Sequence, residues 1–350
     1  MNIPFQEILR QHIARYPLMR PQDCVKLAYQ SEFGPAHLHT DSEQFLLSLR
    51  EEWGAGANGG SPHPPEMIGS GLCRLYLTRA FDPETAAPVL AKLVSLTAQR
   101  HQGRRERFLD KLAQLEKADI PGMDEYLREY RRRDCPPVRH SECYRRAYQP
   151  HYRLLNIAYS GYFPVLARIA ELFHKGKAVV AIDGRCGSGK TEFAALIRRL
   201  FPCNVFHMDD FYLPLAQRTP DWADVIGGNM DFARFLKEVL IPAGCGESIR
   251  YRPFDCSTGF VKEPVCFPPQ RLTIVEGSYS QHPLLTACYD LKIFLTCSTE
   301  EQRTRLQRRE GAAFHTFEQR WIPMEEAYIQ RCDPAASCDF VIDTSSFFDV

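Results

Sequence analysis

Hydrophobic residues follow different patterns in the two halves of the chain. In the first half they recur at the spacing of amphipathic helices, at residues 108–115, 126–130 and 154–173. In the second half they form short apolar runs separated by helical stretches, and the change falls near Gly176. The pattern predicts a mostly α-helical N-terminal domain, residues 1–165, followed by a domain of different architecture, residues 166–350.

Two helix starts stand out in the first half. Asp82 followed by Pro83 is typical of an N-cap and a first helical residue, and it precedes a leucine-rich helical pattern. The residues at positions 40–43, Thr-Asp-Ser-Glu, match a capping box. Residues 54–71 are rich in Gly and Pro, which predicts a loop.

Five apolar runs of strand length mark the second half. They lie at residues 178–182, 204–207, 272–275, 291–295 and 340–342, and helical patterns separate most of them. Strands that alternate with helices indicate a parallel sheet with helices on both faces.

Composition sets broad limits on function. The 350 residues suit two domains, and the 43 basic and 43 acidic side chains cancel, so bulk charge gives no reason to expect nucleic-acid or membrane binding. No apolar run approaches the length of a membrane span, and the N-terminus lacks signal-peptide features. The 13 scattered cysteines form no disulfide or zinc pattern, which favours a reducing cytoplasm.

Residues 184–191, GRCGSGKT, match the phosphate-loop pattern G-x-x-x-x-G-K-[ST] between a predicted strand and a predicted helix. Backbone N–H groups of such a loop surround phosphates, the lysine supplies positive charge, and the hydroxyl residue binds Mg²⁺. The pattern therefore predicts an ATP site with Mg²⁺ and a P-loop NTPase-type α/β fold. The predicted nucleotide-binding residues are Gly184, Cys186, Gly187, Ser188, Gly189, Lys190 and Thr191.

Two carboxylates, Asp209 and Asp210, directly follow the second predicted strand. Because ligands of open parallel sheets bind at the carboxyl ends of strands, a carboxylate here can orient an attacking hydroxyl. The alternative is a turn in which an Asp caps the backbone. A guanine-binding Asn-Lys-x-Asp motif is absent from the sequence, and Glu276-Gly277 stands where many ATPases have Asp-Glu.

Residues 176–345 resemble the uridine kinase family and its relatives, the nicotinamide riboside, phosphoribulose and pantothenate kinases. The motifs that carry the resemblance are GRCGSGKT, HMDDFYLP, IVEGSYS and TRLQRRE. The resemblance implies that Asp209 is the catalytic base and that Glu276 joins Thr191 at Mg²⁺. It also implies a lid of arginines that close on the transferred phosphate, with Arg308 and Arg309 preferred over Arg303 and Arg305. A solvated helix face is the alternative for this arginine run.

The same resemblance suggests substrate-binding residues, and for these an ordinary loop role is the alternative. The candidates are Asp210, Tyr212, Asp231, Tyr251 and Asp255. Residues 317–325 are interpreted as a packed connection, with Trp321 in a structural role.

Two segments of the first half, residues 29–39 and 139–153, are rich in aromatic and charged side chains. They could form a substrate cleft, or a metal site from His37, His39 and His140. A helical cap of packed Tyr and Arg side chains is favoured, because the histidines lack ligand spacing.

Together these observations predict ATP-dependent phosphorylation of a hydroxyl on a small molecule, with a nucleoside-like acceptor favoured. The alternative is a nucleotide-dependent regulatory or assembly module whose helical half binds a partner. ATP and the acceptor are the expected partners, nucleic acid and membrane are not, and oligomerisation is left open.

Overall fold

The structure is a computed structural model, and the residues it describes are 3–36, 43–56 and 64–347. The chain divides into two compact units between Ala167 and Arg168. Each unit has its own hydrophobic core, and the two are described in turn.

The N-terminal unit is mostly helical and contains a small antiparallel sheet. Its helices are α1 (Phe5–Arg15), α2 (Pro21–Phe33), α3 (Glu43–Gly56), α4 (Pro83–Arg100), α5 (Arg105–Glu116), α6 (Met123–Arg132), α7 (Glu142–Tyr148) and α8 (Ile157–Lys175), the last of which contains the division point. Its strands are β1 (Glu66–Gly69), β2 (Leu72–Tyr76) and β3 (Tyr152–Asn156), in the order β1-β2-β3.

The predicted cap of α4 is confirmed. The Asp82 carboxylate accepts hydrogen bonds from the backbone N–H groups of Glu84 and Thr85, at 3.2 and 3.3 Å. It thereby satisfies two donors that the helix itself leaves unpaired. The predicted capping box includes residues 40–42, which lie outside the described residues.

Two predictions for the first half were wrong in part. Residues 154–156 belong to strand β3, because Leu154 and Leu155 pair with Arg74 and Cys73 of β2, and a short apolar run fits strand and helix patterns alike. Within the predicted loop 54–71, β1 begins at Glu66 and turns into β2 through Ser70 and Gly71. Both turn residues have positive φ, 54° and 69°, as a two-residue hairpin requires.

The C-terminal unit is built on a five-stranded parallel sheet. Its strands are β4 (Ala178–Gly184), β5 (Cys203–His207), β6 (Ile249–Tyr251), β7 (Phe254–Asp255), β8 (Phe260–Val261), β9 (Val265–Phe267), β10 (Leu272–Glu276), β11 (Leu291–Thr296) and β12 (Phe340–Asp343). The sheet has the order β12-β11-β4-β10-β5, and the pairs β6-β9 and β7-β8 form two small antiparallel ribbons. All five predicted strands are confirmed, and so is the α/β fold class.

The helices of this unit are α9 (Lys190–Leu200), α10 (Phe232–Phe235), α11 (Ile241–Cys245), α12 (Thr299–Glu310), α13 (Phe314–Thr316) and α14 (Ile322–Cys332). Short 3₁₀ turns lie at Met208–Phe211, Leu215–Gln217, Thr286–Cys288, Gly311–Ala313 and Pro334–Ser337. Two π-helical turns, Leu236–Leu240 and Phe317–Trp321, lead into α11 and α14. The predicted connection at residues 317–325 is therefore helical.

Strand register brings the candidate residues to one edge of the sheet. Glu276, the last residue of β10, lies opposite Ile182 of β4 on one side and His207 of β5 on the other. Because the three strands run parallel, their carboxyl ends and the segments that follow them meet at this edge.

Candidate functional site

The phosphate loop, residues 184–191, connects β4 to α9 and depends on glycine at its two ends. A Cβ at Gly184 would lie 1.9 Å from the Leu295 carbonyl oxygen, so no side chain fits there. Gly189 has φ +91° and directly precedes the first residue of α9, Lys190. The loop therefore ends at a helix N-terminus, whose free N–H groups favour anions.

Lys190 is held across its own loop. Its ammonium donates to the carbonyl oxygens of Gly184 and Arg185, at 2.6 and 3.0 Å. The same side chain lines the cavity described below. The loop carbonyls thus fix a positive charge beside backbone N–H groups, an arrangement suited to phosphate oxygens.

Thr191 and Glu276 meet at the carboxyl end of β10. The Thr191 hydroxyl donates to Oε1 of Glu276 at 3.1 Å, and the His207 imidazole Nδ1 bonds to the same oxygen. The carboxylate raises the pKa of His207. Two oxygen ligands in contact fit Mg²⁺, which binds one or two carboxylates and completes its shell with water and substrate phosphates.

The two aspartates after β5 have different surroundings. Asp209 lines the cavity and accepts a hydrogen bond from the Tyr212 hydroxyl at 2.8 Å. Its carboxylate is open to water through the cavity but enclosed by protein on its other sides, and this burial raises its pKa, with the Tyr212 hydrogen bond acting in the opposite direction. Asp210 instead accepts from the Tyr251 hydroxyl at 2.7 Å and does not line the cavity.

One cavity of about 440 Å³ joins the phosphate loop to Asp209. Its walls include Cys186, Gly187, Gly189, Lys190, Thr191, His207, Asp209, Tyr212, Glu276, Ser278, Tyr279, Arg305, Arg308, Arg309, Phe317, Trp321 and Glu325. Two predicted nucleotide-binding residues, Gly184 and Ser188, are not among its walls. The cavity holds cationic, acidic and aromatic groups side by side.

The four arginines of the predicted lid have different partners. Arg303 pairs with Glu318, and Arg305 donates to carbonyl oxygens of Gly187 and Thr344. Arg309 lines the cavity and pairs with Glu310. Arg308 lines the cavity and has no hydrogen bond or ion pair with the described part of the chain, so its guanidinium is available to a ligand.

Four predicted substrate residues do not line the cavity, because other groups hold them. Asp210 is bonded to Tyr251, whose ring packs against those of Phe211 and Phe267. Asp231 caps α10 and binds Arg234 at 3.0 Å, through both the backbone N–H and Nε.

The fourth residue, Asp255, accepts from the backbone and hydroxyl of Ser257 and pairs with Lys262 at 3.0 Å. Of the five predicted substrate residues, only Tyr212 lines the cavity.

Several cavity residues were not identified from the sequence. Trp321, interpreted as structural, lines the cavity with its ring 6.3 Å from that of Tyr212 and inclined by 23°. Glu325 and Ser278 contact each other at the cavity wall, and Phe317 lies there as well. The Trp-Ile-Pro-Met-Glu-Glu stretch in the sequence was the available signal, but it indicates no chemistry on its own.

In the N-terminal unit, the two unusual segments meet in a buried hydrogen-bonded network, where Gln30 of the first donates to the Tyr152 hydroxyl of the second at 3.0 Å. His140 bonds to Asp23 through Nδ1 and to the Tyr152 hydroxyl through Nε2, at 2.9 and 2.7 Å. His37 and His39 lie outside the described residues. Among the residues that the structure covers, no group of three His, Cys, Asp or Glu side chains could hold a metal ion.

No described helix is both long and apolar enough to cross a membrane. No protein-family model matches the sequence, and no curated protein matches it.

Solved structures are similar to about half of the chain. A possible uridine kinase from Bacillus stearothermophilus is 21% identical, covers 51% of this chain and 100% of its own, and has a TM-score of 0.40. A protein provisionally described as a fructose transport system kinase, from Silicibacter sp. TM1040, is 23% identical, covers 47% and 89%, and has a TM-score of 0.34. At these TM-scores the similarity supports no functional inference.

Proposed function

We propose that the C-terminal unit transfers a phosphoryl group from ATP to a hydroxyl of a small molecule, with a nucleoside-like acceptor. The observation that carries this proposal is that one cavity is lined both by the phosphate loop and by Asp209. A protein that only binds nucleotide has no need of a carboxylate on the acceptor side of the same cavity.

Each group has a defined part in the proposed reaction. Lys190 and the loop N–H groups hold the phosphates, and Thr191 with Glu276 would hold Mg²⁺, which neutralises charge on the phosphate oxygens. Asp209 accepts a hydrogen bond from the acceptor hydroxyl and takes its proton as the new O–P bond forms and the bond to the ADP leaving group breaks. Arg308 and Arg309 stabilise the negative charge of the transferred group.

The aromatic side of the cavity supports a nucleoside-like acceptor. Tyr212, Phe317 and Trp321 line the same cavity as Asp209, and aromatic side chains bind planar rings by stacking. A base could lie against these rings while a sugar hydroxyl faces Asp209.

Asp209→Asn and its neighbour Asp210→Asn form a matched test. With Mg²⁺ and ATP, ADP release should be stimulated by at least one compound from a panel of nucleosides, sugars and vitamins. Asp209→Asn should lower that stimulated rate by about 10²–10⁴-fold, because the carboxylate no longer takes the proton. The Asp210 carboxylate bonds to Tyr251 and does not line the cavity. Asp210→Asn should therefore change the rate by less than about threefold.

Thermal melts should show both variants folded. Undiminished turnover by Asp209→Asn would refute its role as the base. Tight ATP binding without stimulation by any acceptor would favour the alternative, a nucleotide-dependent regulatory or assembly module.

A further inference from the structure

Glu325, on α14, places a buried negative charge at the phosphate loop. The side chain is only 4% exposed and forms part of the cavity wall. Both of its carboxylate oxygens lie 2.8 Å from the backbone nitrogen of Cys186, the third residue of the loop. The Ser278 hydroxyl also donates to Oε1.

This contact uses a group that the loop offers to anions. Backbone N–H groups of a phosphate loop point toward the bound phosphates, and Cys186 belongs to that loop. A carboxylate is the protein anion closest in chemistry to a phosphate. Glu325 therefore occupies, from within the chain, a donor that a nucleotide would use.

We propose that Glu325 is an internal competitor of the nucleotide phosphates for the Cys186 N–H, and that it determines how tightly the loop binds nucleotide. Two anions at one N–H donor repel each other, and the burial of Glu325 weakens the screening of that repulsion by water. Nucleotide binding then requires Glu325 to withdraw from the loop. The proposal depends on nucleotide binding at the loop but not on phosphoryl transfer.

The adjacent residue, Glu326, contacts the same loop in a different way. It pairs with Arg185 through two contacts, Nε to Oε1 at 2.6 Å and Nη2 to Oε2 at 2.9 Å. Neither Arg185 nor Glu326 lines the cavity. Glu326 thus carries the same charge as Glu325, lies on the same helix and contacts the same loop. Its carboxylate, however, is paired with a cation and does not accept from a backbone N–H group of the loop.

Calorimetric titration of the full chain with Mg²⁺–ATP tests the proposal. Glu325→Gln keeps the size of the side chain and one hydrogen-bond acceptor but removes the charge. It should bind ATP about three- to tenfold more tightly than the wild type, since a repulsion between neighbouring charges is lost. Glu326→Gln should bind within about twofold of the wild type.

Ser278→Ala provides a second variant should Glu325→Gln fold poorly. It removes the hydroxyl that holds the carboxylate in place, so it should strengthen ATP binding by up to about threefold. If Glu325 merely shapes the loop, Glu325→Gln will instead bind ATP equally or more weakly, and that result overturns the proposal. Absence of ATP binding in the wild type and both variants would overturn this proposal together with the proposed function.

Discussion

Each unit of the protein brings a group of polar and charged side chains together, and the two groups differ in burial and in what satisfies them. In the N-terminal unit, Asp23, Gln30, Glu66, Arg74, His140 and Tyr152 form a network in which each member bonds to at least one other. In the C-terminal unit the charges face an open cavity, and Arg308 has no partner among the described residues.

The difference separates charges that maintain structure from charges that await a ligand. Arg74 is 1% exposed and donates to Glu66 and Gln30 at 2.9–3.2 Å, so its charge is compensated inside the fold. Arg308, by contrast, is exposed and has no partner among the described residues, so its charge can pair with a ligand that enters the cavity. The cavity is therefore the better place to look for activity, although both regions are polar.

Breaking the N-terminal network should have the largest effect on stability. Arg74→Met leaves the buried Glu66 without its closest cationic partner, with Arg15 at 3.8 Å as the remaining one, which should lower the free energy of unfolding by about 3–5 kcal/mol in urea titrations. Its control is Arg131→Met, which breaks an exposed pair with Glu116 and should cost less than about 1 kcal/mol.

The affinity for ATP should distinguish the N-terminal network from the cavity. None of the six network residues lines the cavity, so Arg74→Met should bind ATP with wild-type affinity well below its unfolding temperature. A stability loss as small as that of Arg131→Met would mean that the network contributes little.

Removing a cavity arginine should have an intermediate effect, seen in turnover. Arg308→Ala should lower kcat by about 10–10²-fold, because the positive charge that we propose to stabilise the transferred phosphoryl group is lost. Arg303→Ala, on the same helix but paired with Glu318, should change kcat by less than about twofold. Steady-state ADP release measures both, and equal losses would show that the partner of an arginine does not predict its role.

The smallest effect is expected in the pH dependence. Burial raises the pKa of Asp209, and the Tyr212 hydrogen bond lowers it. Since the base acts when ionised, kcat/KM should fall as pH decreases through this raised pKa, above the ordinary aspartate value. Tyr212→Phe removes the bond that favours the ionised form, so the acidic limb should move to higher pH.

At the optimum pH, kcat/KM of Tyr212→Phe should change by less than about tenfold, in keeping with the loss of one hydrogen bond. The control is Tyr251→Phe, because the hydroxyl of Tyr251 bonds to Asp210 and not to Asp209. An acidic limb that moves to lower pH in Tyr212→Phe would contradict the assignment of Asp209 as the titrating base.

The sequence predicted those elements whose formation depends on a few neighbouring residues. The five sheet strands and the cap of α4 were predictable because apolar runs and an Asp-Pro pair act over a few residues. Strand β3 was not, because Leu154 and Leu155 become a strand only by pairing with β2, whose residues lie about 80 positions earlier.

The site residues also divide into those that a local motif identifies and those whose role depends on tertiary contacts. Gly184, Lys190 and Thr191 belong to one contiguous motif, and their chemistry is specified by its spacing. Asp231 and Asp255 have the right residue type, but nearby Arg234 and Ser257 bind them. Spacing alone does not separate the adjacent Asp209 and Asp210; the family resemblance favoured Asp209 as the base, and Asp209 is the one that lines the cavity.

By itself, the sequence determined the parallel sheet, the phosphate loop and the presence of acidic residues after the strands. These features follow from backbone periodicity and from short-range steric demands such as that at Gly184. Only the tertiary structure decided which side chains share a cavity, as in the contact between Glu325 and Cys186 across 139 residues. The reason is physical: such contacts depend on the packing of α14 against the loop, and no local preference of either segment encodes it.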